Sequence, residues 1–219
     1  MNIPILLETP QVLVVNKPAG IAVEFQPHGY PSIEAWAHQY LGMHGKKDFV
    51  GIVHRLDRPV SGVLLMTKKP LALKELNRQF AERTVQKTYL AIVGYRPTQA
   101  HGKLEHWLEK DTQLKRAILS KKGRANAARC ALSYRTVGET RLGPLLEINP
   151  LQGKFHQIRA QLSAAGMPIA GDTLYGSQTS FLPNAIALHA SVLCFRNFEN
   201  GEAMEVRAPW EALSGLIIT

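Results

Sequence analysis

His54-Arg55-Leu56-Asp57-Arg58-Pro59-Val60-Ser61-Gly62-Val63-Leu64-Leu65 sets one carboxylate between two guanidinium groups, then supplies a proline, a glycine and an apolar run. Val50 to Val53 reads as a short strand leading in, and Gly62 to Thr67 as a buried strand leading out. Asp57 therefore belongs to a turn held between two strands. An exposed aspartate is about as reactive as acetate. Burial raises a carboxyl pKa and a neighbouring guanidinium lowers it. A carboxylate that must stay ionised while shielded from water needs an arginine. Arg55 and Arg58 cannot both point the way Asp57 points, so a distant arginine, Arg159, is the better candidate for a bidentate pair. Read alone, the same letters equally describe a structural Asp–Arg pair that pins a loop.

Working outward, strands outnumber helices. Residues 3–8 and 11–16 are β-prone, and the second run ends at the turn signal Pro18-Ala19-Gly20. Pro31 to Leu41 has helical spacing, followed by a polar loop from Gly42 to Asp48. Pro70 to Arg83 is the clearest helix, with Ala72, Leu73, Leu76 and Phe80 as its stripe. Lys87 to Gly94, Ala127 to Val137, Pro144 to Asn149, Ile186 to Phe195 and Ala203 to Val206 read as strands. Phe155 to Ala165 reads as a helix, and residues 95–125 as loops with a short hairpin. Few strands alternate with helices in βαβ order. The expected fold is α+β, with a mixed, mostly antiparallel sheet, in one domain over residues 1–219 with no linker dividing it.

Lys plus Arg number 26 against 17 Asp plus Glu, a formal charge of +9. That surplus favours a polyanionic partner, and RNA or DNA phosphates reward it through counterion release. Cys130 and Cys194 lie in apolar runs without metal spacing and read as small buried hydrophobes in a reducing compartment. The N-terminus lacks a basic region before its short apolar stretch, and no run approaches the ~20 apolar residues that span a bilayer. A cytoplasmic protein is expected.

A second segment, Gln152-Gly153-Lys154-Phe155-His156-Gln157-Ile158-Arg159, puts a glycine loop before a helix start. Such a start offers backbone N–H groups and a positive dipole end to a phosphate or sugar oxygen. Lys154 and His156 add donors, and His156 and Arg159 are spaced to share a helical face. His156 by itself reads as an ordinary satisfied histidine. Tyr89, in Lys87-Thr88-Tyr89, reads by itself as strand packing, although a phenol can stack on a base or move a proton.

Taken together, the chain resembles the RluA-type family of RNA pseudouridine synthases. The resemblance rests on Asn16 to Ile21, His54 to Leu65, Lys87 to Tyr89, Gly153 to Arg159, Gly166 to Gly176 and Leu188 to Ala190. No match to the S4-type RNA-binding domain of many relatives is found. The resemblance implies an isomerase that converts uridine in rRNA or tRNA to pseudouridine without metal or cofactor, acting as a monomer on RNA, with neither DNA nor membrane as partner. It implies catalytic roles for Asp57, Tyr89 and Arg159. Asp57 either attacks C1′ of the ribose or removes a proton from C2′. It also implies RNA contacts for His54, Arg55, Lys154 and His156, Arg55 helping to fill the gap left by a flipped nucleotide. One departure stands out: the family's third motif usually reads Thr-Gly-Arg-Thr-His-Gln-Ile-Arg. Here Lys154 replaces an arginine, losing its bidentate fork, and Phe155 replaces a hydroxyl-bearing residue. Two other classes compete with the isomerase. A non-catalytic RNA-binding protein would be expected to lose Asp57, Tyr89 or Arg159. A glycosylase would release free uracil.

Overall fold

The computed structural model describes residues 1–25, 31–43 and 49–218. In chain order the elements begin with β1 (Ile5–Glu8), β2 (Val12–Lys17), α1 (Ile33–Met43), β3 (Gly51–Ile52), β4 (Ser61–Thr67) and α2 (Pro70–Ala81). There follow β5 (Gln86–Ile92), β6 (His101–Asp111), β7 (Arg116–Ser120), β8 (Ala128–Thr140), β9 (Gly143–Pro150) and α3 (Gln157–Ala164). A 3-10 turn at Thr173–Tyr175 precedes β10 (Leu188–Arg196), β11 (Ala203–Arg207) and α4 (Glu211–Ser214). The fold is α+β with a mostly antiparallel sheet, as the scarcity of βαβ alternation predicts. Of the expected loop from Gly42 to Asp48, residues 42 and 43 extend α1, and the rest lies outside the described residues.

The chain divides into two compact units, Met1–Lys87 with Ala190–Trp210, and Thr88–His189 with Glu211–Thr219. In the first unit, β1 pairs with β2, β2 with β4, β3 with β4, and β10 with β11, all antiparallel, and β4 lies beside β10. One core cluster gathers Val12, Val14, Val63, Leu65, Leu76, Leu193 and Phe195 from these strands and α2. Full burial of each such side chain contributes about 1.5–3 kcal/mol. Helix α2 opens on Pro70 and buries Ala72, Leu76 and Gln79. Gln79 is a polar addition to the expected stripe. Its amide donates to the Arg196 carbonyl and accepts the Arg196 N–H, both at 2.9 Å, so it caps the end of β10.

Gly62 explains the glycine of the opening motif. Its φ is +117°, and a Cβ built there would stand 2.2 Å from the Ala190 carbonyl oxygen. Only glycine lets β4 approach β10 this closely at the point where β4 leaves the Asp57 turn.

In the second unit the strand order is β5-β9-β8-β6-β7, antiparallel throughout. The loops expected across residues 95–125 are instead mostly strand. His101–Asp111 pairs with β8 along eight residues and with β7 along five. Its apolar content is low because most of its side chains stay in or near solvent, Leu108 being the buried one. The ladder hydrogen bonds, not an apolar face, define it. The hairpin turns at Asp111, whose Oδ1 accepts the N–H groups of Gln113 (2.9 Å) and Leu114 (2.8 Å). Helix α3 starts at Gln157 rather than Phe155. Of the two cysteines, Cys130 is buried as expected, whereas Cys194 is only half-buried.

Candidate active site

In the first unit the Asp57 turn is tied down from beneath by Lys17. This lysine ends β2 and is fully buried. Its ammonium donates to the carbonyls of Pro18 (2.9 Å), Ile21 (2.8 Å) and Arg58 (3.2 Å). The Arg58 carbonyl also accepts the N–H of Gly20, at 2.8 Å. The Pro18-Ala19-Gly20 turn is thus clasped to the residue after Asp57. Val60 N–H closes the turn on the Asp57 carbonyl at 3.0 Å, and the buried side chains of Leu56 and Val60 anchor it on either side. Burial pushes the Lys17 pKa down to about 7, and the charge of Asp57 opposes that fall. Lys17 is thus a group of this same unit that interacts with the charge of Asp57 when it is protonated, which near neutral pH it is only in part. Sequence reasoning assigned it no role, although a single lysine closing the apolar strand Val12-Leu13-Val14-Val15 was a visible signal.

The flanking residues of the motif have separate tasks. Arg55 turns outward and pairs with Glu24 at 2.8 Å, with both side chains largely exposed. The side chain of Arg58 is exposed, and its carbonyl does the structural work. His54 faces the fold. Its Nε2 accepts the Leu65 N–H at 3.1 Å, and its ring stacks on Phe80 with centroids 5.2 Å apart. Burial, with a smaller contribution from the charge of Lys87, holds its pKa down to about 3. His54 is thus neutral and carries its proton on Nδ1.

In the second unit Tyr89 lies half-buried on β5, opposite Ile148 of β9. Lys154 is exposed. Its N–H donates to the Gln157 side-chain oxygen (3.2 Å), and the Gln157 N–H donates to the Lys154 carbonyl (3.0 Å), which closes the first turn before α3. His156 does not extend the helix. It takes a left-handed conformation, φ +49°, just before α3, so helical spacing does not relate it to Arg159. This strained backbone is held by the ring: His156 stacks on Phe155 at 3.8 Å, meets Tyr175 edge-on, and sets Nδ1 3.0 Å from the Tyr175 hydroxyl. Lys110 sits over the Phe155 ring at 4.9 Å. The phenylalanine that departs from the family motif thus lies between a cation and an imidazole.

Arg159 is 5% exposed. Its Nε and Nη2 donate to the two oxygens of Asp172, at 2.7 and 2.9 Å, and its guanidinium lies over the Tyr175 ring at 5.0 Å. Asp172 thus forms a bidentate pair with Arg159 that sequence reasoning did not foresee. The signal was the acid after Gly171, inside a stretch whose preceding residues are buried. Among the described residues, no group of three or more His, Cys, Asp or Glu is placed to hold a metal ion, and no helix is long and apolar enough to cross a membrane.

A sheet-based fold that clasps one acid at a strand junction defines a class, and comparison with known proteins gives it a family. The chain belongs to the RNA pseudouridylate synthase family, whose profile matches residues 11–164. It is 34% identical over 222 residues to the Escherichia coli (strain K12) protein named ribosomal large subunit pseudouridine synthase C, covering 94% of this chain and 66% of that one. The Pasteurella multocida (strain Pm70) protein of the same name is 35% identical over 218 residues, covering 94% and 64%. The chain thus spans somewhat less than two thirds of the length of these relatives. Among solved structures, human RNA pseudouridylate synthase domain containing 4 superposes with a TM-score of 0.80 at 21% identity, covering 98% of this chain and 94% of that one. Human RNA pseudouridylate synthase domain containing 1 superposes at 0.79 with 23% identity, covering 95% and 84%. At these identities the likeness is one of fold.

Proposed function

We propose that the protein isomerises a uridine of ribosomal RNA to pseudouridine, with Asp57 as the essential carboxylate. The reaction breaks the N1–C1′ bond, turns the uracil and forms a C5–C1′ bond. N1 gains a proton and C5 loses one. The conversion is redox-neutral, so acid–base and nucleophilic groups are sufficient for it. The observation that carries this proposal is the Asp57 turn itself. An acid is held at a strand junction by the buried ammonium of Lys17, within the segment that matches the family.

In this scheme Asp57 acts at the sugar, and Arg159 is a second catalytic group. Tyr89 stacks on the base. The target must leave its helix, at a cost of a few kcal/mol, and contacts from Arg55, Lys154 and His156 to the RNA offset that cost. His54 contributes by shaping the strand behind the turn. Residues 1–219 act as a single catalytic domain, in the cytoplasm and as a monomer. The names of the bacterial relatives favour large-subunit rRNA over tRNA as the substrate.

A transcriptome-wide pseudouridine map, with and without the gene, tests this. Loss of modification at one or a few uridines of large-subunit rRNA is expected. Loss confined to tRNA would move the substrate class. Identical maps, with RNA binding retained, would favour a non-catalytic binder.

A further inference from the structure

Phe155 and Lys110 come from separate stretches of the second unit, and buried packing brings them together. Leu108 of β6, Ala117 of β7, Cys130 of β8, Ala160 of α3 and Tyr175 form one core cluster. The Tyr175 hydroxyl accepts the Ala117 N–H at 2.7 Å. The β6–β7 hairpin is thus fastened to α3. Lys110 lies two residues beyond Leu108 on β6, and side chains two apart on a strand share a side. Its ammonium sits over the Phe155 ring, 4.9 Å from the centroid. The His156 imidazole stacks on the same ring at 3.8 Å and so fills one face. The ammonium takes the other.

The positive charge gathered here is not neutralised from within. Lys110 and Lys154 are exposed, and among the described residues neither ammonium has a carboxylate partner. The acids on either side of Lys110 are engaged elsewhere. Glu109 accepts the Ser120 hydroxyl at 2.8 Å and lies 3.4 Å from Arg124, and Asp111 accepts the Gln113 and Leu114 N–H groups. Burial raises the Cys130 pKa, and the charge of Lys154 opposes that rise, which sets Lys154 near the same core cluster. The family's motif usually has arginine and threonine where this chain has Lys154 and Phe155. An arginine meets a phosphate with a two-pronged fork and a lysine with one point charge. Phe155 offers what a threonine does not, a π face that holds a second ammonium.

We propose that Phe155 is a positioning residue for RNA binding: it holds Lys110 beside His156, so that Lys110 and Lys154 together meet backbone phosphate of the substrate strand. This deepens the proposed function and rests on RNA being the substrate. Lys110 touches phosphate. Phe155 touches neither phosphate nor base and acts through the ammonium it carries.

The test uses the full chain and fragments of large-subunit rRNA transcribed in vitro. Filter binding from about 50 to 300 mM KCl gives Kd and its salt dependence. Turnover is followed on the same RNA labelled with tritium at uridine C5, because C5–C1′ bond formation releases the tritium, and circular dichroism reports folding. Lys110→Met is expected to raise Kd about three- to tenfold and to reduce the slope of log affinity against log salt by about 0.7–0.9, one phosphate contact. The loss should fall on KM rather than kcat. In a Phe155→Thr background the same substitution is expected to change Kd less than about 1.5-fold, because the ring that places the ammonium is gone. Phe155→Tyr keeps the ring and is expected to keep the full effect of Lys110→Met. If Phe155→Thr does not fold, Phe155→Leu, which fills the space without a π face, takes its place with the same expectation. An equal effect of Lys110→Met in every background, or unchanged Kd and salt slope in the natural one, would overturn the inference. An unaltered chain that neither binds nor modifies any rRNA fragment would instead overturn the proposed function, and this inference with it.

Discussion

The ammonium of Lys17 donates to the carbonyl oxygen of Arg58 at 3.2 Å, joining residues 41 apart in sequence at the residue that follows Asp57. With its bonds to Pro18 and Ile21, this lysine fastens one turn to another. Replacing Lys17 by Met would fill similar space but leave three carbonyls without that donor. The expected cost is about 1–3 kcal/mol, partly spared because Arg58 keeps the Gly20 N–H. Denaturant unfolding measures the stability. The tritium-release rate of the folded variant should fall at least tenfold, because the Asp57 turn loses its clasp. Unchanged stability and rate would contradict the positioning assigned to Lys17.

His54 gives the protein a specific acid sensitivity. In the folded state its pKa is about 3, against 6.5 for the free side chain. Between these values the unfolded chain binds more protons, so stability rises with pH. The contribution is fully present above pH 6.5 and is lost as pH falls toward 3. At pH 5 the loss from this one group is about 1–2 kcal/mol. His54→Gln, which can still accept the Leu65 N–H but does not titrate, should flatten this part of the profile. Urea midpoints measured from pH 4.5 to pH 8 check the slope, and equal slopes for both proteins would contradict the assignment.

Gly62→Ala should be severely destabilising, by about 2 kcal/mol or more. The new methyl meets the Ala190 backbone at a φ that disfavours side chains. Soluble yield and urea midpoint report it. A fully stable alanine variant would mean that β4 and β10 are not pressed together at this point.

These residues also show what the sequence could reveal. Helix α2 was readable because Pro70 opens it and Ala72 and Leu76 recur at helical spacing. The strands β2 and β4 were readable because they are apolar runs bounded by turn residues. Strand β6 escaped because its partners are hydrogen bonds rather than a buried face, and hydrogen bonding leaves no hydrophobic period to read. The Asp57 turn was legible from its charges and its Pro and Gly. The supporting residues were not: Lys17 and Asp172 act through contacts with residues 41 and 13 positions away, and sequence spacing cannot express that. The left-handed His156 was hidden for a related reason, since the packing of its ring on Phe155 and Tyr175 holds a backbone that local preference disfavours.

The central claim is tested most directly by the C5-tritium assay on Asp57→Asn alongside the unaltered protein, with circular dichroism and RNA binding measured on both. Asparagine keeps the shape and removes the charge that acts at the sugar. The expected result is a folded, RNA-binding protein whose tritium release falls at least 1,000-fold, about 4 kcal/mol in activation free energy. Release at the unaltered rate by the folded variant would contradict the account.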